Sequence, residues 1–103
     1  MKKIINGKLY NTDTADMLGE YWNGLPCGDF NKVDEALYRT KKGAYFIAGS
    51  GGALTHYARR CGDNSQCGGE GLRAVTEQEA REWMEVHCTA DEYIEAFGDT
   101  QEA

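Results

Sequence analysis

The sequence predicts an α+β fold: a small antiparallel sheet of two hairpins plus a short strand, with a C-terminal helix pair packed on one face. Three observations predict it. Asn6-Gly7 lies between two short apolar runs, and this dipeptide tolerates positive φ at both central positions of a tight hairpin turn. Leu37, Arg39 alternate with Tyr38, Thr40 before Lys41-Lys42-Gly43, and Tyr45, Ile47 alternate with Phe46, Ala48 after it, the period of a second hairpin. Thr76-Glu77-Gln78-Glu79 and Thr89-Ala90-Asp91-Glu92 then repeat one helix-start design.

Taken in order, strands are expected at about residues 2–5 and 8–11. Thr12-Asp13-Thr14 offers N-cap side chains before Ala15, Leu18 and Trp22, with Met17 and Tyr21 on a neighbouring line. This spacing predicts a short helix, weakened by Gly19 and ended by Asn23-Gly24. Leu25 to Lys32, with the single proline, reads as loop. The second hairpin takes Glu35–Thr40 and Ala44–Ala48, and Gly49-Ser50-Gly51-Gly52 breaks its pattern. Leu54, Tyr57 and Ala58 give residues 53–60 the spacing of another short helix, and residues 61–71 read as a polar, glycine-rich loop.

Leu72–Val75 is expected as a short strand leading into the first capping box, where a threonine hydroxyl serves one orphan amide and a glutamate reaches back to another. Ala80, Trp83, Met84 and His87 form the apolar stripe of the first helix. Ala90, Tyr93, Ile94 and Phe97 form that of the second, which Gly98 closes. Trp83 and Tyr93 read as core. A chain of 103 residues, 41% of them apolar, suits one domain over residues 1–98 with a frayed acidic tail at 99–103. No run of eighteen apolar residues is present, and the N-terminus lacks the apolar region and cleavage site of a signal peptide. A cytoplasmic location and four reduced cysteines are the resulting expectations.

Charge divides the chain. Residues 76–103 carry nine carboxylates against one cation, Arg81, so this segment holds −8 while the remainder holds +2. Such a field attracts basic surfaces and repels nucleic acid. Glu77, Glu79, Asp91 and Glu92 sit in first turns, where the helix dipole favours them. Glu82, Glu85, Glu95, Asp99 and Glu102 are outside that account. The expected contact charges are Glu82, Glu85, Asp91, Glu92 and Glu95, a carboxylate array that could stand in for a phosphate backbone on a protein partner with a basic surface. Direct nucleic-acid binding and membrane contact are not expected.

Other chemistries are less well supported by spacing. Cys27, Cys61, Cys67, Cys88, His56 and His87 supply enough ligands for tetrahedral zinc. Yet five residues lie between Cys61 and Cys67 rather than two to four, and adjacent His87 and Cys88 leave a helix about 100° apart. Reduced packing cysteines, a zinc module and a Cys61–Cys67 disulfide all stay open. No signature of a Cys–His nucleophile surrounds His56 or His87, so no catalytic residue and no cofactor is assigned. Gly49–Gly52 lacks the spacing of a nucleotide-binding loop. Lys2, Lys3, Lys8, Lys41 and Lys42 could touch nucleic acid, making a small regulator the remaining alternative, but lysines on strands also blunt sheet edges.

Several segments carry a resemblance: Lys3-Ile4-Ile5-Asn6-Gly7-Lys8-Leu9-Tyr10-Asn11-Thr12, Leu37-Tyr38-Arg39-Thr40-Lys41-Lys42-Gly43 with Tyr45-Phe46, Gly49-Ser50-Gly51-Gly52, and Thr76-Glu77-Gln78-Glu79-Ala80-Arg81-Glu82-Trp83. In this order, over most of the chain to about Phe97, the sequence resembles a family of small proteins from plasmids, phages and integrative elements of Gram-positive bacteria. The resemblance extends to anti-CRISPR proteins directed at Cas9. It implies a non-enzymatic inhibitor of an RNA-guided nuclease in a bacterial host cell. The motifs are structural rather than catalytic. The Cys61–Cys67 loop matches no pattern of that family, so no functional residue carries over there.

Overall fold

A computed structural model describes residues 1–62, 65–98, 100 and 102. The order is β1 (Lys2–Ile5), β2 (Lys8–Asn11), β3 (Asp16–Trp22), β4 (Val33–Arg39), β5 (Tyr45–Gly51), β6 (Arg59–Arg60), β7 (Gln66–Cys67), β8 (Gly69–Val75), α1 (Glu77–His87) and α2 (Ala90–Phe97). The main sheet is antiparallel with order β3-β4-β5-β8. The helices pack on one of its faces. The fold is α+β, as the sequence predicts.

The two expected hairpins fall in different sheets. β1 and β2 pair only with each other, joined by a turn in which both Asn6 (φ 52°) and Gly7 (φ 76°) adopt positive φ. This hairpin lies on the sheet face opposite the helices, where Tyr10 meets Phe46, Ala48 and Leu72. β4 and β5 form the centre of the main sheet. Their alternation sorts side chains by face: Leu37 and Ile47 go to the helices, Phe46 and Ala48 to the hairpin.

The expected helix at residues 15–22 is instead the edge strand β3. Its register slips between Met17 and Gly19, leaving Leu18 as the extra residue of a β-bulge. The bulge disrupts strict alternation and brings Leu18 and Tyr21 to the helix side, where they pack on the core. Apolar residues three apart on one face mimic a helical stripe. Pairing with β4 decided the outcome over local propensity.

The glycine run after Ala48 extends β5 rather than ending it. A Cβ on Gly49 would lie 2.5 Å from the Asp34 carbonyl oxygen and 2.6 Å from the Tyr57 hydroxyl. Glycine keeps the strand going because Tyr57 is laid against it. The expected helix over residues 53–60 is likewise absent: this segment turns and ends in β6, which pairs with β7. β8 begins at Gly69, three residues ahead of the expected strand.

Both capping boxes form. Thr76 and Thr89 accept from the amides of Glu79 and Glu92, and each glutamate accepts from the threonine amide in return. Ala80, Trp83 and Met84 are buried, and His87 is half-buried between Tyr21 and Trp83 at centroid distances of 4.0 and 5.0 Å. The second stripe is rotated from expectation: Ala96 is the buried residue, Tyr93 and Phe97 are half-buried, and Ile94 and Ala90 are exposed. Of the expected frayed tail, residues 99, 101 and 103 lie outside the described residues. Among the described residues, no helix is long and apolar enough to cross a membrane.

The caps give a first test. Thr76→Ala and Thr89→Ala are each expected to cost about 1 kcal/mol, because each strands an amide of the first turn. Urea midpoints measure this, and two unchanged midpoints would show that the caps do not hold the helices in solution.

Candidate functional site

The helix pair presents the acids that the sequence singles out. Glu82, Glu85, Asp91, Glu92 and Glu95 are all exposed. Among the described residues, the only ion pair on either helix is Arg81 with Glu77, at 3.2 Å. Arg81 also donates to the Tyr93 hydroxyl at 3.1 Å and lies over the Phe97 ring at 4.6 Å. The one arginine of this segment therefore pairs with Glu77 and braces α1 against α2, and pairs with none of the five acids singled out above. Arg59 and Arg60, exposed on β6, form no ion pair with the helices among the described residues.

The five acids are not one cluster. Glu82 lines a groove between α1 and β8 with Arg73, Val75 and Val86, and accepts from Gln78 at 3.1 Å. Glu85 lines the cleft between the helices with Thr89, Tyr93 and Ile94. Exposed Val86 and Ile94 place apolar surface beside these charges. Glu92 has a local duty, since its Oε1 accepts from the Thr89 amide and hydroxyl, both at 3.0 Å. The Thr89 amide bond, then the hydroxyl bond, hold its carboxyl below the usual range.

The opposite sheet face carries a second acidic surface, one not singled out by residue type and spacing. Glu20, Asp34 and Glu70 line a trough of about 680 Å³ with Trp22, Tyr38 and Ser50. Lys32 pairs with Asp34, and Ser50 donates to the same carboxylate. The signal was the alternation in β3, which puts Glu20 and Trp22 on one face once the segment is read as a strand.

The ligands proposed for zinc are dispersed. Cys61 and Cys67 form a disulfide with Cα atoms 5.8 Å apart, which corrects the expectation of reduced thiols and takes two sulfurs out of any metal site. Cys27 is exposed and Cys88 half-buried. Among the described residues, no three His, Cys, Asp or Glu side chains converge as a metal site. Gly49–Gly51 lie within β5 and the next element is the strand β6, so these glycines do not lead into a helix start that could cradle an anion. Of the hairpin lysines, Lys3 donates to the Leu72 carbonyl at 3.4 Å and Lys41 pairs with Asp16 at 3.0 Å.

The most concentrated polar chemistry surrounds a residue left out of the sequence-based sites, Glu35, which is 8% exposed on the helix side of β4. The Tyr57 hydroxyl donates to its Oε2, and the Trp83 indole N–H donates to its Oε1 at 3.2 Å. His56 Nε2 and Arg73 stand 3.4 and 3.6 Å from Oε2, both more than half exposed. Burial pushes the carboxyl up, but the bonds from Tyr57 and Trp83 and the charges of Arg73 and His56 together leave it below the usual range. Burial first, then Glu35, raises the Tyr57 phenol. The network ties the 52–58 segment and α1 to the sheet through one ionised carboxylate. Its sequence signal was a glutamate on the face of Leu37 in a predicted strand.

No family model, curated protein or solved structure matches this chain.

Proposed function

We propose that this protein is a non-enzymatic inhibitor that docks on a basic, nucleic-acid-binding surface of another protein. An RNA-guided nuclease of the Cas9 type, the target implied by the resemblance, is the partner to assay first. The supporting observation is that Glu82, Glu85, Asp91 and Glu95 stand exposed on capped helices, without a cation partner among the described residues. Capped helices hold carboxylates at fixed spacing before binding, which reduces the ordering entropy that association costs. A cationic channel meeting them gains complementarity and on-rate, and nucleic acid is displaced by the same charges it uses itself.

The test is nuclease inhibition by the E82Q/E85Q/E95Q variant. Three exposed charges at about 0.5 kcal/mol each predict roughly tenfold weaker inhibition at low salt. The gap should narrow as salt screens the pairing, and helix content by circular dichroism should not change. Inhibition equal to that of the unmodified protein would remove the electrostatic basis of this reading. Capture of partners from a host lysate checks the target class, with a large basic nuclease as the expected catch.

A further inference from the structure

Three of the four cysteines gather at the end of the sheet marked by Val33 and Gly51. The Leu25–Lys32 loop is stitched to this end, with Gly52 N donating to Lys32 O at 2.9 Å and Leu54 N to Phe30 O at 2.8 Å. Gly52 packs so closely on the loop that a Cβ there would strike the Asp29 and Phe30 carbonyls. The same strip meets the corner between β7 and β8, where a Cβ on Gly68 would lie 2.8 Å from Gly51 O. Backbone rests on backbone across all three segments. Cys27 and Cys67 line one cavity of about 440 Å³ at this junction, and Lys32 lines it too. Cys27 is an exposed free thiol, while Cys67 is bonded to Cys61. The other free thiol, Cys88, is elsewhere, packed where a Cβ on Gly19 would lie 2.7 Å from its Sγ.

We propose that Cys27 is a resolving thiol for the Cys61–Cys67 disulfide, making this corner a thiol–disulfide exchange site. The Cys27 thiolate attacks Sγ of Cys67, and the Cys27–Cys67 bond forms as the Cys67–Cys61 bond breaks. Cys61 leaves as a thiolate and takes up one proton, balancing the one that Cys27 released. Nothing is oxidised or reduced overall, so no co-reactant is consumed. Thiolate is the attacking species in such an exchange, and the shared cavity gives it an open approach to Cys67. Cys88 is a poor competitor, since burial first, then the Glu92 charge, pushes its thiol up. The cross-link then moves from a pair six residues apart to one that spans β4 and β5, tying the Leu25–Lys32 loop to the β7–β8 corner. The longer closed loop restricts the unfolded chain more.

Disulfide mapping tests this on the folded chain. C61S treated with oxidised glutathione is expected to lose its Cys67 adduct to a Cys27–Cys67 bond, leaving Cys88 free. C27S/C61S is expected to keep the adduct on Cys67. In the unmodified protein, held at about pH 8 so that thiolate is present and then quenched with N-ethylmaleimide, label is expected on Cys61 in a fraction of chains. A persistent Cys67 adduct in C61S, or a Cys67–Cys88 bond, would overturn the proposal. Formation of Cys27–Cys67 in folded C61S supports it even where the unmodified chain rests mainly as Cys61–Cys67.

Discussion

Glu35→Ala is expected to lower the unfolding free energy by about 3–5 kcal/mol, the cost of breaking a buried, charged hydrogen-bond network. The truncation removes the acceptor of both the buried Trp83 indole N–H and the Tyr57 hydroxyl. Each stranded donor costs about 1–3 kcal/mol. A small domain has only about 5–15 kcal/mol in total, so the variant should melt far below the unmodified protein. Glu35→Gln should cost much less, because its carbonyl still accepts from Trp83 and the Tyr57 hydroxyl can turn to accept from its amide. His56→Ala and Arg73→Ala, which remove partners more than half exposed, should each cost under about 1 kcal/mol. Urea titrations of the four variants decide this. A Glu35→Ala protein no weaker than a surface substitution would show that the network does not hold the fold.

The same carboxylate sets an acid dependence. Its folded value is depressed, so its contribution is fully present above the unfolded value near ~4.3 and is lost as pH falls through the folded value. Glu79 and Glu92, held down chiefly by the amides of Thr76 and Thr89, act in the same direction and the same window. The melting temperature should therefore be level above about pH 5 and fall below it, with a shallower fall in Glu35→Gln.

What the sequence disclosed follows from how local each signal is. Asn6-Gly7, the Leu37–Ala48 alternation and the two capping boxes are complete within about ten residues, and all four appear in the structure. β3 was hidden because its bulge at Leu18 imitates a helical stripe, and only β4 supplies the pairing that makes it a strand. The second helix lies where its cap and closing glycine put it, but it is turned about its axis. Tyr93 and Phe97 answer to Arg81 and Tyr45, contacts that the spacing of apolar residues does not encode. The exposed acids could be read from residue type alone. The Glu35 network could not, since Tyr57 and Trp83 lie 22 and 48 residues away in the chain. The disulfide was one of several open readings, because spacing limits sulfur pairing without choosing it.

Phe46→Ala is expected to cost about 3–5 kcal/mol and to release the N-terminal hairpin. Phe46 is fully buried at the centre of the face opposite the helices, stacked on Tyr38 at 5.1 Å and met edge-on by Tyr10 at 5.5 Å. Such aromatic pairs add about 0.5–1.5 kcal/mol to the burial itself. Among the described residues β1 and β2 pair as strands only with each other, and a lone two-stranded hairpin is marginal in water, so its order depends chiefly on Tyr10 reaching Phe46. Hydrogen exchange should show the amides of residues 2–5 and 8–11 losing protection in Phe46→Ala. They should lose it in Tyr10→Ala as well, while β4 and β5 stay protected in the latter. Retained hairpin protection in both variants would refute this dependence. Tyr10→Ala also separates two readings of function, since the hairpin carries Lys2, Lys3 and Lys8 while the acids lie on α1 and α2. An inhibitor acting through its acidic helices keeps its potency when the hairpin loosens. A nucleic-acid binder acting through those lysines loses it.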